Sequence, residues 1–265
     1  MPNFQHGSQI IHYEVLGTGR PVVLIHGFTN HGLVWLPQVT ELVYNGFQVV
    51  LPDLPGHGLS SFVRDVITVQ QMSDLMIGLF DHLKLEKPDV CGLSLGGMIV
   101  QNLVVTHPER IRKAVIANSS PNFNSNQSRA AVEHWKSMFL QPNGPQVRLQ
   151  QTWELLFSPD FLSTPQAAVQ YATWTRVLER MSGESLAYVA EGMLQFDVRE
   201  KLPNVQTPTL VIAGKLDRLI PMEAAQDIQS KVPNAQFLVL ENAGHISSVD
   251  SSAEFNKGLL DFLKG

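Results

Sequence analysis

Short apolar runs alternate with longer stretches of helical period through the first 120 residues, which is the sequence form of a βα-repeating parallel sheet. Residues 10–14 predict an edge strand, and Gly17-Thr18-Gly19 predicts a turn before Pro21. Residues 22–25, Val-Val-Leu-Ile, are apolar throughout, as a strand covered on both faces must be. A helix over 35–44, closed by Asn45-Gly46, and a strand over 48–51 come next. That strand runs into Pro52-Asp53-Leu54-Pro55-Gly56-His57-Gly58, a structured loop by its proline and glycine content. Thr68 is placed to cap a helix that carries Met72, Leu75, Met76, Leu79, Phe80 and Leu83 on one face. Residues 88–91 predict a strand cut off at Gly92, residues 97–106 a buried helix, and residues 113–118 a further strand.

The pattern changes between Pro121 and Gln206. Only helical periodicities occur there, over 128–140, 145–157, 165–181 and 184–196, and the stretch holds Trp135, Trp153 and Trp174, three of the four tryptophans. The βα pattern then resumes with a strand over 208–213, a helix over 221–231, a strand over 236–240 and a closing helix over 253–262. A helical insertion between two pieces of one sheet is an excursion from a domain and not its end. The expected fold is α/β, with residues 1–120 and 207–265 forming a core of mostly parallel sheet flanked by helices and residues 121–206 inserted as a helical cap.

Composition narrows the functional classes. The 265 residues are 44% hydrophobic and 16% charged, an ordinary globular balance that excludes disorder. A formal charge of −5, with 19 scattered Lys and Arg, offers no basic field for phosphates, so no nucleic-acid partner is expected. The single cysteine, Cys91, excludes an intrachain disulfide, and no Cys/His cluster has structural-zinc spacing. No apolar run reaches transmembrane length, and residues 1–20 lack the continuous apolar stretch of a signal peptide. A cytoplasmic protein without a membrane partner is expected, and self-association into a homo-oligomer is left open.

The chemistry is concentrated at strand ends. Gly92-Leu93-Ser94-Leu95-Gly96 follows one strand and opens one helix, so Ser94 stands at the tip of a sharp turn whose glycines admit close backbone approach. A serine hydroxyl is a weak nucleophile near neutral pH and needs a base and anion-stabilising donors. His245, in Ala243-Gly244-His245 after the strand over 236–240, is the candidate base. Asp217, in Gly214-Lys215-Leu216-Asp217-Arg218 after the strand over 208–213, is the candidate orienting acid. Both lie at the rim where catalytic groups collect in open parallel sheets, and the chain order Ser94, Asp217, His245 separates this arrangement from the chymotrypsin and subtilisin orders. His26 and His57 read as loop-fixing residues, and Asp53 as a turn residue. The backbone N–H groups of Leu95, after the nucleophile, and Phe28, in His26-Gly27-Phe28-Thr29, are the expected oxyanion donors.

These segments resemble the α/β-hydrolase family across nearly the whole chain. The resemblance rests on His26-Gly27-Phe28, on Asp53-Leu54-Pro55-Gly56-His57-Gly58-Leu59-Ser60, on the turn at Ser94, and on Gly214-x-x-Asp217 with Ala243-Gly244-His245. Within the family the chain most resembles the small bacterial carboxylesterase and enol-lactonase group, through Cys91-Gly92-Leu93-Ser94-Leu95-Gly96-Gly97-Met98 and the inserted cap. The resemblance implies Ser94 as nucleophile, His245 as general base and acid, Asp217 as its orienting partner, no metal or organic cofactor, and a small-molecule ester or lactone as substrate. Serine at position 94 argues against haloalkane dehalogenases and epoxide hydrolases, which would carry aspartate there. Lactonases acting on 3-oxoadipate enol-lactone or acyl-homoserine lactones, hydrolases of carbon–carbon bonds in ring-fission products, peracid-forming relatives and a non-catalytic small-ligand receptor remain open on the same fold. Phe28, Trp135, Phe139, Trp153 and Trp174 supply apolar surface for a substrate pocket. Arg129, Arg148 and Arg176 lie in the cap, and one of them facing Ser94 would favour an acidic substrate. Ser251-Ser252-Ala253-Glu254 departs from the proline-initiated last helix of many relatives.

Overall fold

In the computed structural model, which describes residues 2–265, the chain builds one sheet from β1 (Asn3–His6), β2 (Gln9–Leu16), β3 (Arg20–Ile25), β4 (Phe47–Pro52), β5 (Asp89–Leu93), β6 (Ala114–Ala117), β7 (Thr209–Gly214) and β8 (Gln236–Leu240). The strand order is β1-β2-β4-β3-β5-β6-β7-β8. β1 and β2 are antiparallel to their neighbours, and the run from β4 to β8 is parallel. The order reverses at β3, whose flanks are β4 and β5, so a crevice is expected outside the carboxyl ends of β3 and β5. The loop carrying Phe28 follows β3 and the turn carrying Ser94 follows β5.

Period-two alternation sorts the strand side chains onto two faces. Val23, Ile25, Val50, Val90 and Ile116 face one core layer, with Met72, Met76 and Leu79 of α2 (Val69–His82) and Met98 and Ile99 of α3 (Leu95–Thr106). Val22, Leu24, Val49, Cys91 and Val115 face the other, with Leu42 of α1 (Leu36–Tyr44) and with Phe255 and Leu259 near the C-terminus. Each such side chain contributes roughly 1.5–3 kcal/mol when fully buried, which is why these strands carry no polar face.

Between β6 and β7 the chain forms α4 (Asn126–Phe139), α5 (Gly144–Leu156), α6 (Pro159–Leu162), α7 (Pro165–Leu178) and α8 (Gly183–Met193). A single isolated bridge, Asn122 to Asp197, is the extended pairing recorded in this stretch among the described residues. The chain closes with α9 (Met222–Lys231), α10 (Ser247–Asp250) and α11 (Ser252–Lys264).

Three expectations need correction. Residues 10–14 do form a strand, but β1 pairs outside it and is the true edge. β1 reads Asn-Phe-Gln-His, with only Phe4 buried, so it has no alternation long enough to register as a pattern. The helix expected from residue 97 begins at Leu95, because the glycines of the turn are already helical. The last helix starts at Ser252 from an uncapped Ser251 after the four-residue α10, a break that stands where a proline start was missing. Thr68, by contrast, forms a full capping box with Gln71, as its position predicts.

Candidate active site

Ser94 links β5 to α3 with φ 56° and ψ −116°, a left-handed conformation that costs a non-glycine residue about 1–3 kcal/mol. The surroundings hold it there. Its N–H donates to the Ala117 carbonyl at 2.9 Å, and its carbonyl accepts the Met98 N–H at 3.0 Å and the Ser119 hydroxyl at 2.9 Å. A Cβ on Gly92 would stand 2.1 Å from the Gly96 carbonyl oxygen, and one on Gly96 would stand 2.1 Å from the Ile25 carbonyl oxygen. The turn is therefore closed to any side chain at these two positions. The Ser94 hydroxyl does not cap α3, which leaves it unengaged by its own helix.

Asp217 and His245 are brought together beyond the ends of β7 and β8. His245 Nδ1 lies 2.8 Å from Asp217 Oδ2, with the two side chains 5% and 3% exposed. Asp217 Oδ1 accepts the N–H groups of Leu219 and Ile220 at 2.8 and 2.9 Å. Burial pushes this carboxyl toward its neutral form, but the adjacent imidazole and these donors outweigh it and hold the pKa below the usual carboxylate value. A carboxylate at Oδ2 fixes the proton on Nδ1 and leaves Nε2 as the acceptor.

Two further residues complete this support. Asn118, at φ 45° just past β6, donates through Nδ2 to Asp217 Oδ2 at 3.0 Å and to the Gly244 carbonyl at 3.2 Å, and its Oδ1 accepts the Ser247 hydroxyl at 2.6 Å. Asp250 Oδ2 accepts the N–H of Gly244 at 2.7 Å and that of Ser158 at 2.9 Å, tying the histidine loop to the end of α5. The sequence reading missed both: Asn118 acts through partners 99 to 129 residues away, and Asp250 joins the nearby Gly244 to Ser158, 92 residues away. The one available signal was an asparagine directly after a buried strand.

The loop after β3 is pinned by two histidines. His26 Nδ1 donates to the Gly27 carbonyl at 2.8 Å while Nε2 accepts the Leu54 N–H at 2.9 Å. His57 Nδ1 donates to the Pro55 carbonyl at 2.9 Å while Nε2 accepts the Thr29 N–H at 3.0 Å. Burial lowers both to a pKa of about 3, so both are neutral near pH 7. Asp53 is likewise committed, accepting the N–H groups of Gly32 and Leu59 at 2.7 and 2.8 Å. The amides of Phe28 and of Leu95, the first residue of α3, are without an acceptor among the described residues.

The aromatic residues fall into two groups. Phe28 lies 5.7 Å from Trp135 and 5.8 Å from Phe139 between ring centroids, so α4 closes over the loop that carries the Phe28 amide. Trp153 and Trp174 instead pack with each other at 5.8 Å and with Phe157 at 4.7 and 5.5 Å. Phe157 abuts Gly244, whose Cβ would come within 2.7 Å of the Phe157 backbone, so this second group packs against the histidine loop. A separate surface cleft of about 430 Å³, lined by His31, Leu59 and Arg176 among others, contains none of Ser94, Asp217 and His245.

A mostly parallel sheet that presents a strained serine, a buried carboxylate–imidazole pair and two free amides at one rim defines a class. The chain belongs to the alpha/beta hydrolase fold family, whose family profile matches residues 20–252. It is 27% identical over 257 residues to a Stutzerimonas stutzeri protein named carbamate hydrolase RutD, covering 96% of each chain. It is 26% identical over 267 residues to the pimeloyl-[acyl-carrier protein] methyl ester esterase of Vibrio vulnificus, covering 96% of this chain and 98% of that one. Among solved structures it superposes on the enol-lactonase of Burkholderia xenovorans with a TM-score of 0.92 at 25% identity over 100% of both chains. No helix among the described residues is long and apolar enough to cross a membrane.

Proposed function

We propose that this hydrolase cleaves carboxylic esters of small, largely apolar substrates through an acyl-enzyme on Ser94. The observation that carries the reading is the His245–Asp217 contact at 2.8 Å, buried and locked by Asn118, at the rim that also bears the strained Ser94.

In the substrate complex Ser94 Oγ attacks the ester carbonyl while His245 Nε2 takes its proton. Asp217 holds the tautomer and stabilises the imidazolium that forms. Charge on the tetrahedral oxygen is met by the N–H groups of Phe28 and Leu95, donors that need no rearrangement because nothing else occupies them. His245 then protonates the departing alcohol, and water repeats the sequence on the acyl-enzyme. The Ser94 hydroxyl and His245 Nε2 make no hydrogen bond to each other among the described residues, and a nucleophile–base contact of this kind commonly tightens in the substrate complex.

Lactone cleavage is the same chemistry with the leaving alcohol tethered, and the fit to the Burkholderia enol-lactonase supports it as a second reading. Steady-state hydrolysis of p-nitrophenyl butyrate, a γ-lactone and an N-substituted carbamate by the wild type and Ser94→Ala tests the assignment. The ester is expected to be the fastest of the three and to lose at least about 10³-fold in the variant. Faster turnover of the carbamate or lactone would move the substrate class.

A further inference from the structure

Arg148 is a buried cation without a counter-ion among the described residues. It sits on α5 at 8% exposure, whereas the other candidate cations of the insertion, Arg129 and Arg176, are exposed. Its guanidinium carbon lies 4.6 Å from the Trp135 ring centroid, 5.2 Å from that of Phe28 and 5.9 Å from that of Phe139. Nη1 donates to Thr29 Oγ1 at 3.0 Å. That is the one hydrogen bond its side chain makes to a described residue, although a guanidinium carries five N–H donors. Nε is sealed from solvent with no partner, while Nη2 is neither hydrogen-bonded nor sealed. Burial lowers its pKa to about 10, and no carboxylate offsets that shift.

Three aromatic faces attract a cation, but they do not satisfy N–H groups, and an unpaired buried charge is costly to keep. A purely structural tether to Thr29 would need one donor and no charge. Position supplies the missing purpose. Thr29 follows Phe28, whose N–H is the proposed oxyanion donor, and the Phe28 ring is one wall around the guanidinium. An anion at Nη2 would therefore lie against the loop that carries the proposed oxyanion donor, and a carboxylate is an anion that a guanidinium pairs with strongly.

We propose that Arg148 binds a carboxylate carried by the substrate, so the preferred ester or lactone is an anion: a monoester of a short dicarboxylic acid, or a lactone with a pendant carboxylate. This rests on the serine-hydrolase reading for its chemistry, but the anion site is measurable without turnover. The aromatic walls then hold the short apolar spacer, and Arg148 sets the end of the substrate that the nucleophile reaches.

Monomethyl glutarate and dimethyl glutarate are the probes, differing in one charge. In the wild type, kcat/KM for the monoester is expected to exceed that for the diester by at least tenfold. In Arg148→Gln that ratio falls at least tenfold, whatever both substrates lose through the Thr29 contact. Arg148→Lys, which keeps the charge without the fork, retains an intermediate ratio. Binding of monomethyl glutarate to Ser94→Ala by calorimetry weakens at least tenfold in the Ser94→Ala, Arg148→Gln double variant. A wild type indifferent to the charge, or a ratio unchanged by Arg148→Gln in a variant that folds, overturns the proposal; the wild-type comparison stands even if that variant does not fold. Arg148-dependent binding to Ser94→Ala together with no hydrolysis of any ester by the wild type would retain the anion site and remove the esterase reading instead.

Discussion

His57 Nε2 accepts the Thr29 N–H at 3.0 Å, and through this bond the loop after β4 fixes the loop that presents Phe28. The bond requires a neutral imidazole protonated on Nδ1, the form that burial enforces. Replacing His57 by Ala leaves the Thr29 amide and the Pro55 carbonyl without partners, at about 1–3 kcal/mol for each buried group. Chemical denaturation of His57→Ala should show a loss in that range, with kcat reduced because the Phe28 amide is no longer held.

The same histidines set an acid limit. Their pKa values are about 3 in the folded chain against the ordinary histidine value of 6.5, so between these pH values the unfolded chain binds the extra protons. Their contribution to stability is complete above pH 6.5 and is lost as the pH falls toward 3. The slope is up to about 1.4 kcal/mol per pH unit for each histidine. Urea unfolding at a series of pH values from 7.5 down should show this decline, and His57→Ala should flatten it.

Asp217→Asn keeps the shape but lets the amide donate toward Nδ1, which reverses the histidine tautomer. By analogy with other triads, kcat should fall by about 10³–10⁴-fold with the fold intact. Asn118→Ala removes only a support of Asp217 and of the Gly244 carbonyl, so a smaller loss of about tenfold in kcat is expected with KM little changed. Stopped-flow measurement of acylation and deacylation on both variants separates orientation from binding.

Gly96→Ala should cost stability before it costs chemistry. Its Cβ would sit 2.1 Å from the Ile25 carbonyl oxygen, a backbone atom that can move only if β3 and α3 separate. A fall in unfolding free energy of about 3 kcal/mol or more, or failure to fold, is expected from calorimetry, because overpacking against backbone has no side-chain escape.

Much of the fold was readable in the sequence, and the proposed site residues with it, because they stand just past strand ends. The buried parallel strands β3, β5 and β7 announce where they stop, with Gly27, Ser94 and Asp217 following, and the half-buried edge strand β8 is apolar from Phe237 to Leu240 ahead of His245. The four longer helices of the insertion, α4, α5, α7 and α8, were also legible from their period, whereas the four-residue α6 was not. Asn118 and Asp250 were not, since Asn118 meets Asp217 from 99 residues away and Asp250 ties Gly244 to Ser158, 92 residues away. Arg148 could not be told from Arg129 and Arg176, the other arginines of the insertion, because the rings that bury it come from α4 and from the loop after β3. β1 and α10, at four residues each, are shorter than the windows in which periodicity carries information.

The central claim is that Ser94 forms a covalent intermediate. Intact-mass and peptide mass spectrometry after treatment with a fluorophosphonate tests it most directly. The account predicts one adduct per chain, on the peptide containing Ser94, with loss of ester hydrolysis in step with labelling and no adduct in Ser94→Ala. Labelling at another residue, or hydrolysis by Ser94→Ala at the wild-type rate, would contradict it.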